Sequence, residues 1–417
     1  MIGSELPKGW KLVPLKEITS IIRGVSYPKE EAKLHPEENY VHILRGGNIQ
    51  DGKIVFETDD NVYVNSSLVG EEQFVLKDDV VIVASTGSKK VIGKAATIEE
   101  DSRCISFGAF LLLLRTNVID KRFHSYFFQT QYYRNTISSL AGGININNIK
   151  KEHIENLQIP LPPLTEQKQI AEKLDKLFDQ IETKKEASNK NPELLKNFRQ
   201  QVLTYAVTGK LTNSDFAHWE KSTIGAIGKV KGGKRLPKGE ELVNYNTGYP
   251  YIRARDLKEG TVLKQNIMYL LPETQEKIKN YIVKTNDVYI TIVGAKIGDA
   301  GIIPESMNNA NLTENAAKIT DLSEKIMPQY LSLWLQAPLC QSEIQQSIKS
   351  AAQGKLALTR INSLSVCFPP IESQKEIIDK VEYLLGELKI IESKFYQLQN
   401  ILEKLPQALL CKAFKGE

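Results

Sequence analysis

Two short turns carry side chains that are suited to reading the edges of nucleic-acid bases. The segments RGGN (45–48) and RARD (253–256) each follow a strand-like run and supply Arg45, Asn48, Arg253, Arg255 and Asp256. Arginine can donate two hydrogen bonds to guanine, while asparagine and aspartate can meet adenine or cytosine edges. A surface salt bridge is the alternative for each arginine.

Basic residues in glycine-containing segments are candidates for contact with phosphates. The segment KVKGGKRLPKG (229–239) contains Lys231, Lys234 and Arg235, and the corresponding segment IIRGVSYPK (21–29) contains Arg23. Glycine lets the backbone follow a phosphate chain closely, and the basic side chains neutralise its charge. A solvated run of charge is the alternative interpretation.

A glycine-containing loop in each half only partly matches a nucleotide-binding loop. In GSKKVIGKA (87–95), Ala95 stands where Ser or Thr would ligate magnesium, and the second copy, GAKIGDAG (294–301), has Asp299 in place of Lys94. We interpret both as turns between strands, or as loops that approach nucleic acid. The candidate residues are Ser85, Thr86, Ser88, Lys89, Lys90 and Lys296, with Asn311 and Asn315 of NLTENAA (311–317) as weaker ones.

The sequence shows no pattern for catalysis or for a metal site. Five histidines and four cysteines are scattered, without metal-ligand spacing or a nucleophile–base order. We expect no catalysis and no bound cofactor in this chain alone. The formal net charge of +4 means that a nucleic-acid surface would be a local patch. The start of the chain has no apolar leader and the longest apolar run (105–114) is half a membrane span, so we expect a cytoplasmic protein.

The same pattern occurs twice along the chain. The clearest correspondences, at offsets of 207 to 209 residues, are Trp10 with Trp219, Arg45 with Arg253, Asp79 with Asp287, and Pro162 with Pro369. A tandem repeat of half the chain predicts two similar domains. Strand-like runs bounded by Gly, Asn and Asp predict a mixed α/β globule in each half, with helices at 123–139 and 329–349. The expected domain boundaries are 1–161, 162–211, 212–368 and 369–417.

Heptad spacing follows the proline pair of each half and predicts a core between two long helices. In the second half, its positions are Ile377, Val381, Leu384, Leu388, Ile391, Phe395, Leu398, Leu402, Leu405 and Leu409. In the first half, they are Ile170, Leu174, Leu177, Ile181, Leu195, Phe198 and Val202. Pro192 predicts a break or kink in the first helix, and Pro406 raises the same question for the second.

Such helices cannot bury an apolar seam alone, so each is the obvious partner of the other. Because a globule separates them in sequence, we expect an antiparallel coiled coil. The predicted fold is therefore α/β (α+β): two mixed α/β globules in tandem, each followed by a long helix, with pseudo-twofold symmetry and chain ends that lie close together.

Four segments resemble the specificity subunit of Type I restriction-modification systems. They are IPLPPLTEQKQIAEKLDKLFDQIE (159–182), AVTGKL (206–211), FPPIESQKEIIDKVEYLL (368–385) and ALLCKAFKGE (408–417). The resemblance implies two target recognition domains, each reading one half of a gapped double-stranded DNA sequence, with the helices as a spacer. It also implies two modification (methyltransferase) subunits that bind S-adenosylmethionine, and restriction subunits that use ATP and Mg.

Two other functions remain open from the residues alone. A coiled-coil adaptor whose globules bind proteins or other ligands would also explain the heptads and the missing catalytic motifs, but it leaves the paired basic turns without a purpose. An enzyme with composite sites between globule and helix would need convergent titratable groups. Strong salt dependence of DNA affinity would favour the first function over the adaptor, because DNA binding releases counterions.

We predict that deleting one turn from both helices changes the length of the recognised gap while both half-sequences stay the same. The reason is that rigid helices would fix the distance between the two reading surfaces. A methylation map of cells that carry the deletion variant and its modification subunit measures the gap directly. An unchanged gap would contradict the spacer role.

Overall fold

The computed structural model describes residues 6–50, 52–58, 61–88, 90–140, 147–212, 214–349 and 354–417. The chain forms two compact units. The first comprises Met1–Ser188 with Gln397–Glu417, and the second comprises Asn189–Tyr396. Each unit contains one mixed α/β globule together with segments of both long helices, which confirms the predicted fold class.

Short strands build the globule of the first unit. They are β1 (Lys11–Pro14), β2 (Ser20–Arg23), β3 (Tyr40–Leu44), β4 (Ile49–Gln50), β5 (Lys53–Ile54), β6 (Val62–Asn65), β7 (Val80–Val83), β8 (Ser85–Thr86), β9 (Ala95–Thr97), β10 (Ile105–Phe107), β11 (Leu111–Arg115), β12 (Asn147–Asn148) and β13 (Gln158–Leu161). An antiparallel sheet has the order β2-β11-β7-β9, and a mixed sheet has the order β10-β3-β6, in which β10 and β3 run parallel.

The globule of the second unit repeats this topology. Its strands are β14 (Glu220–Thr223), β15 (Lys229–Gly232), β16 (Pro250–Ile252), β17 (Leu257–Lys258), β18 (Thr261–Val262), β19 (Met268–Tyr269), β20 (Val288–Thr291), β21 (Ala300–Ile302), β22 (Asn311–Leu312), β23 (Ala316–Thr320) and β24 (Ser365–Phe368). The sheets β15-β23-β20-β21 and β19-β16-β22 have the same strand order and directions as their counterparts.

The central strands β7 and β11 are apolar, except for Arg115 at the end of β11, because both faces of the sheet are buried. Along β7, Val80 and Ile82 join the core that contains the helices, whereas Val81 and Val83 join a second core on the opposite face. Successive side chains of a strand point to opposite faces, so a strand buried on both sides has no polar alternation. Strand β11 follows the same rule, with Leu112 and Leu111 on the two faces.

The helices are α1 (Lys121–Gln129), α2 (Gln131–Leu140), α3 (Lys151–Glu155), α4 (Leu164–Asn189), α5 (Asn191–Val207), α6 (Ile224–Ile227), α7 (Pro272–Lys277), α8 (Pro328–Gln336), α9 (Pro338–Lys349), α10 (Leu358–Ser363) and α11 (Ile371–Ala413). The single helices predicted at 123–139 and 329–349 are each broken in two. Thr130 is extended and its Oγ1 accepts a hydrogen bond from Tyr133 N, while Pro338 forces Ala337 out of the helical region. The predicted break near Pro192 falls between α4 and α5, whereas α11 continues through Pro406.

The two long helices run antiparallel within each unit. In the first unit, the grooves beside α4 are bordered by Leu409 near Ile170 and by Glu403 near Ile181. In the second, Arg199 Nη2 lies 3.7 Å from Glu392 Oε2, and Lys380 Nζ donates to Leu211 O at 3.4 Å. As residue numbers rise along one helix, they fall along the other.

Most heptad positions are buried or half-buried, but three are not. Phe198, Ile391 and Leu398 are 44%, 54% and 49% exposed, so the prediction that they form helix–helix core is wrong. A straight helix has 3.6 residues per turn, so its buried face drifts away from a 3.5-residue pattern over many heptads. In the first long helix, the break after Asn189 also shifts the heptad pattern between α4 and α5. Leu410 and Phe414, outside the assigned pattern, are buried instead.

The first described residues lie against the last residues of the chain, as the repeat predicts. Gly416 packs against the ring of Pro7, close enough that a Cβ at Gly416 would lie 2.3 Å from Pro7 Cγ. Both residues belong to the first unit.

We predict that this protein loses stability as the pH falls below about 6.5, in part through His124. Burial lowers the pKa of His124 to about 3, and its Nε2 lies 2.9 Å from Thr19 Oγ1. Below about pH 6.5, the unfolded chain therefore binds a proton at this histidine that the folded chain does not bind. The free energy of unfolding falls by roughly 1.4 kcal/mol per pH unit between the two pKa values. Urea unfolding of the full chain at pH 7.5 and pH 5.5 measures the loss. His124→Gln should reduce it, and an identical pH dependence in the variant would contradict this assignment.

Candidate nucleic-acid interface

A groove of about 970 Å³ lies on the first globule where the ends of several strands meet. Its walls come from the segments after β2, β3 and β7 and from the segment before β11. The lining side chains that bear on function are Tyr27, Lys29, Leu34, Arg45, Ser85, Thr86 and Phe110. The structure thus brings together three predicted site residues, Arg45, Ser85 and Thr86, from two separate parts of the sequence.

A close backbone crossing shapes this groove and recurs in the second globule. A Cβ at Gly24 would lie 2.1 Å from Gly108 O, and one at Gly233 would lie 2.0 Å from Thr313 O. Only glycine allows two backbones to approach so closely. After β2 and after β15, the chain crosses the loop that precedes β11 or β23. The basic segments and that loop therefore share one face in each globule.

Phe110 is a candidate that the sequence patterns did not reveal. It lies within the apolar run at 105–114, most of whose members are buried, yet its own side chain is 66% exposed in the groove. Ser85, Thr86 and Arg45 line the same groove. An exposed aromatic ring among hydrogen-bonding groups can contact a thymine methyl group or stack on a base.

Asn48 is a structural residue and cannot read a base, contrary to the prediction. It is 1% exposed, its Oδ1 accepts from Arg45 N at 2.8 Å, and its Nδ2 donates to Val55 O at 2.8 Å. The amide therefore closes the short helical turn Gly46–Asn48 and ties it to β5 and its following residue. Arg45 lies between the end of β3 and this turn, and it lines the groove.

Asp256 has the same structural role in the second globule, and Arg253 is held beside it. The Asp256 carboxylate, 3% exposed, accepts from Arg253 N, Nε and Nη2, each at 2.9 Å. Arg253 Nη2 also donates to Asn266 O at 2.6 Å. The prediction that Arg253 and Asp256 read bases is therefore wrong, because each satisfies the other. Arg255, on the same turn, is exposed.

Lys234 and Arg235 occupy the face of the second globule that corresponds to the groove. Lys234 N donates to Leu312 O at 2.8 Å, and its Nζ lies 5.5 Å from the centroid of the Tyr281 ring. Arg235 Nε donates to Glu314 Oε1 at 2.8 Å, although the arginine side chain remains 81% exposed. Partial burial alone would raise the pKa of Glu314, but its hydrogen bonds, including that from Arg235, lower it. This exposed pair can open at little cost, so that Arg235 can reach a phosphate or a base edge.

The remaining predicted residues divide between structural, paired and exposed positions. Asn311 is 1% exposed and its Nδ2 donates to Ile278 O at 2.8 Å, so its prediction as a DNA contact is wrong. Asn315 is half-buried, and its carbonyl accepts from Ile292 N at 2.8 Å. Lys231 lies 3.7 Å from Asp321, and Lys296 lies 3.9 Å from Asp299. Of the other residues that the sequence predicted as DNA contacts, Arg23, Ser88 and Lys90 are exposed but do not line the groove. Lys89 lies outside the described residues.

Within the part of the chain that the structure describes, no three His, Cys, Asp or Glu side chains converge in a way that could hold a metal ion. Over the same residues, no helix combines the length and apolar character needed to cross a membrane.

Comparison with known proteins identifies the family. The model of the Type I restriction modification DNA specificity domain matches residues 7–191 and again 217–400, so the chain belongs to this family and carries its domain twice. The specificity subunit of the Type I restriction enzyme EcoKI from Escherichia coli (strain K12) is 34% identical over 429 residues, which cover 100% of this chain and 91% of that protein.

Solved structures share the fold along the whole chain. The HsdS subunit from Thermoanaerobacter tengcongensis aligns with a TM-score of 0.68 and 18% identity, covering 100% of both chains. A chain from a structure described as the basis of complex assembly and conformational transition of the type I R-M system aligns with a TM-score of 0.74 and 17% identity, covering 99% of this chain and 100% of that one.

We predict that Asp256→Ala lowers the free energy of unfolding by roughly 2 to 4 kcal/mol, because it leaves the partly buried Arg253 guanidinium without its carboxylate. Arg255→Ala, on the same turn but exposed, is the matched control and should change it by less than about 0.5 kcal/mol. Urea unfolding of the full chain compares the two variants. Equal, small effects would show that the Arg253–Asp256 pair does not hold the turn.

Proposed function

We propose that this chain is the DNA-recognition subunit of a Type I restriction-modification complex and that each globule reads one half of a gapped, bipartite target. The observation that carries the proposal is the repetition of one scaffold with different side chains on the same face. The sheets of the two globules have the same strand order. On the corresponding face, the first globule has Phe110, Ser85 and Thr86 in its groove, whereas the second globule has Lys234 and Arg235.

Two kinds of contact would divide the work at each half-site. Exposed Lys29 in the first globule, and Lys234 and Lys238 in the second, would neutralise phosphates and set the register on the duplex. Arg45, the two hydroxyl groups and Phe110 would then meet base edges in the major groove. Membership of the family favours this function over the adaptor, whose globules would bind no DNA.

The long helices would act as the spacer and as a docking surface for partners. We propose two modification subunits that bind S-adenosylmethionine and methylate adenine N6, and restriction subunits that use ATP and Mg for translocation and cleavage. In this proposal, the chain itself catalyses nothing, binds no cofactor and works in the cytoplasm. The relative from Escherichia coli is named as a specificity subunit of such an enzyme, and one structural neighbour comes from a study of assembly of that system.

Single-molecule sequencing of methylated adenine tests the proposal in a methylation-free host that expresses this chain with its cognate modification subunit. We expect one gapped motif with two defined halves. A stable complex that methylates no defined motif would contradict the proposal and favour an adaptor.

We predict that Phe110→Ala relaxes the sequence preference in one half of the methylated motif only. Arg235→Ala should relax the sequence preference in the other half only. Loss of a base contact costs roughly 1 to 3 kcal/mol of discrimination, which is about five- to 150-fold in methylation of the correct sequence relative to an altered one. Lys77→Ala, an exposed lysine outside the groove lining, is the control and should leave both halves unchanged. If both variants altered the same half, the assignment of one half-site to each globule would be wrong.

A further inference from the structure

A buried glutamine joins the first long helix to its globule. Gln167, in the first turn of α4, is 3% exposed. Its Oε1 accepts from Asp120 N at 2.9 Å, and its Nε2 donates to Pro162 O at 2.8 Å. Asp120 is the residue that caps α1, since its carboxylate accepts from Arg122 N and Phe123 N. One side chain therefore bridges the start of a globule helix and the start of the long helix.

Gln374 makes the same bridge in the second half. It is fully buried in the first turn of α11, its Oε1 accepts from Met327 N at 2.8 Å, and its Nε2 donates to Lys325 O and Pro369 O, both at 2.8 Å. Met327 directly precedes α8, as Asp120 precedes α1. The amide group thus meets corresponding backbone atoms in both units.

We infer that Gln167 and Gln374 are positioning residues that fix the orientation of each recognition globule on its spacer helix and thereby restrict the length of the DNA gap. This inference rests on the proposed function. A planar amide with both ends hydrogen-bonded to rigid backbone allows one geometry, whereas apolar packing alone tolerates small rotations, because it is non-directional. Helices can define a gap only if the globules cannot rotate on them.

The two halves differ in how much they depend on this bridge. In the first unit, Asp175 of α4 also binds α1, accepting from Arg122 Nη1 and from the Tyr126 hydroxyl, each at 2.5 Å. The corresponding position of α11 is Glu382, which is exposed. Loss of the glutamine should therefore loosen the second globule more than the first.

The test uses the full chain with its modification subunit and reporter DNAs that carry the native gap or a gap longer or shorter by one base pair. Gln374→Met keeps the side-chain length and removes the hydrogen bonds. We expect methylation at the altered gaps to rise roughly five- to tenfold relative to the native gap, with both half-sequences unchanged. Gln167→Met should show a smaller rise, because Asp175 still holds α1 in that variant. If the Gln374→Met chain fails to fold, the Gln167→Met chain provides the test.

Two controls separate positioning from stability. Leu174→Ala removes buried apolar contacts from α4 without touching the amide bridge, so it should lower the melting temperature and leave the gap restricted. Gln169→Leu changes an exposed glutamine on the same helix and should do neither. A wild-type chain that methylates no bipartite site would overturn the proposed function. If wild type methylates its site and both Met variants remain restricted to the native gap, the positioning role is wrong.

Discussion

The packing of two antiparallel helices into the core of each globule is the interaction on which the rest of this structure depends. In the first unit, Leu174 of α4 and Phe414 beyond the end of α11 belong to the same cluster as Phe123 and Phe127 of α1, and the rings of Phe123 and Phe414 lie 4.8 Å apart. In the second unit, Val202 and Val381 join the core around Trp334. Helix and globule therefore share one core, and apolar burial of this kind is the main source of stability in each unit.

Repetition along the chain separates structural polar groups from candidate reading groups. Buried carboxylates recur at Asp79, which binds Arg115 Nη2 at 2.6 Å, and at Asp287, which binds Lys318 Nζ at 3.0 Å. Asn48 and Asp256 close the same turn in the two globules, and each buried glutamine makes the same bridge. The buried polar residues that correspond between the halves hold the scaffold, because an unpaired buried polar group is costly and the scaffold is the same. Phe110 and Arg235 are exposed and take no part in these buried contacts, as expected of surfaces that read different sequences.

The sequence was sufficient to predict the architecture and insufficient to predict the details of the interface. Long apolar periodicity and recurring proline pairs predicted the helices, and the duplicated order predicted two like globules. The break at Thr130 depends on a single hydroxyl cap, which leaves the surrounding helical pattern intact. Asn48, Asp256 and Asn311 have the residue types of base readers, but their burial is set by neighbours distant in sequence, such as Val55 and Ile278. Phe110 was missed for the converse reason, because an apolar run does not show which of its members faces outward.

Hydrogen–deuterium exchange of the full chain with its modification subunits, with and without a duplex carrying the methylated motif, tests the central claim most directly. The account predicts DNA-dependent protection in the segments at 25–29, 45–47, 85–88 and 108–110 of the first globule and at 233–238 of the second, with no change in the buried strands β7 and β20. Protection confined to the long helices, or present in one globule only, would contradict a scaffold that presents two separate reading surfaces.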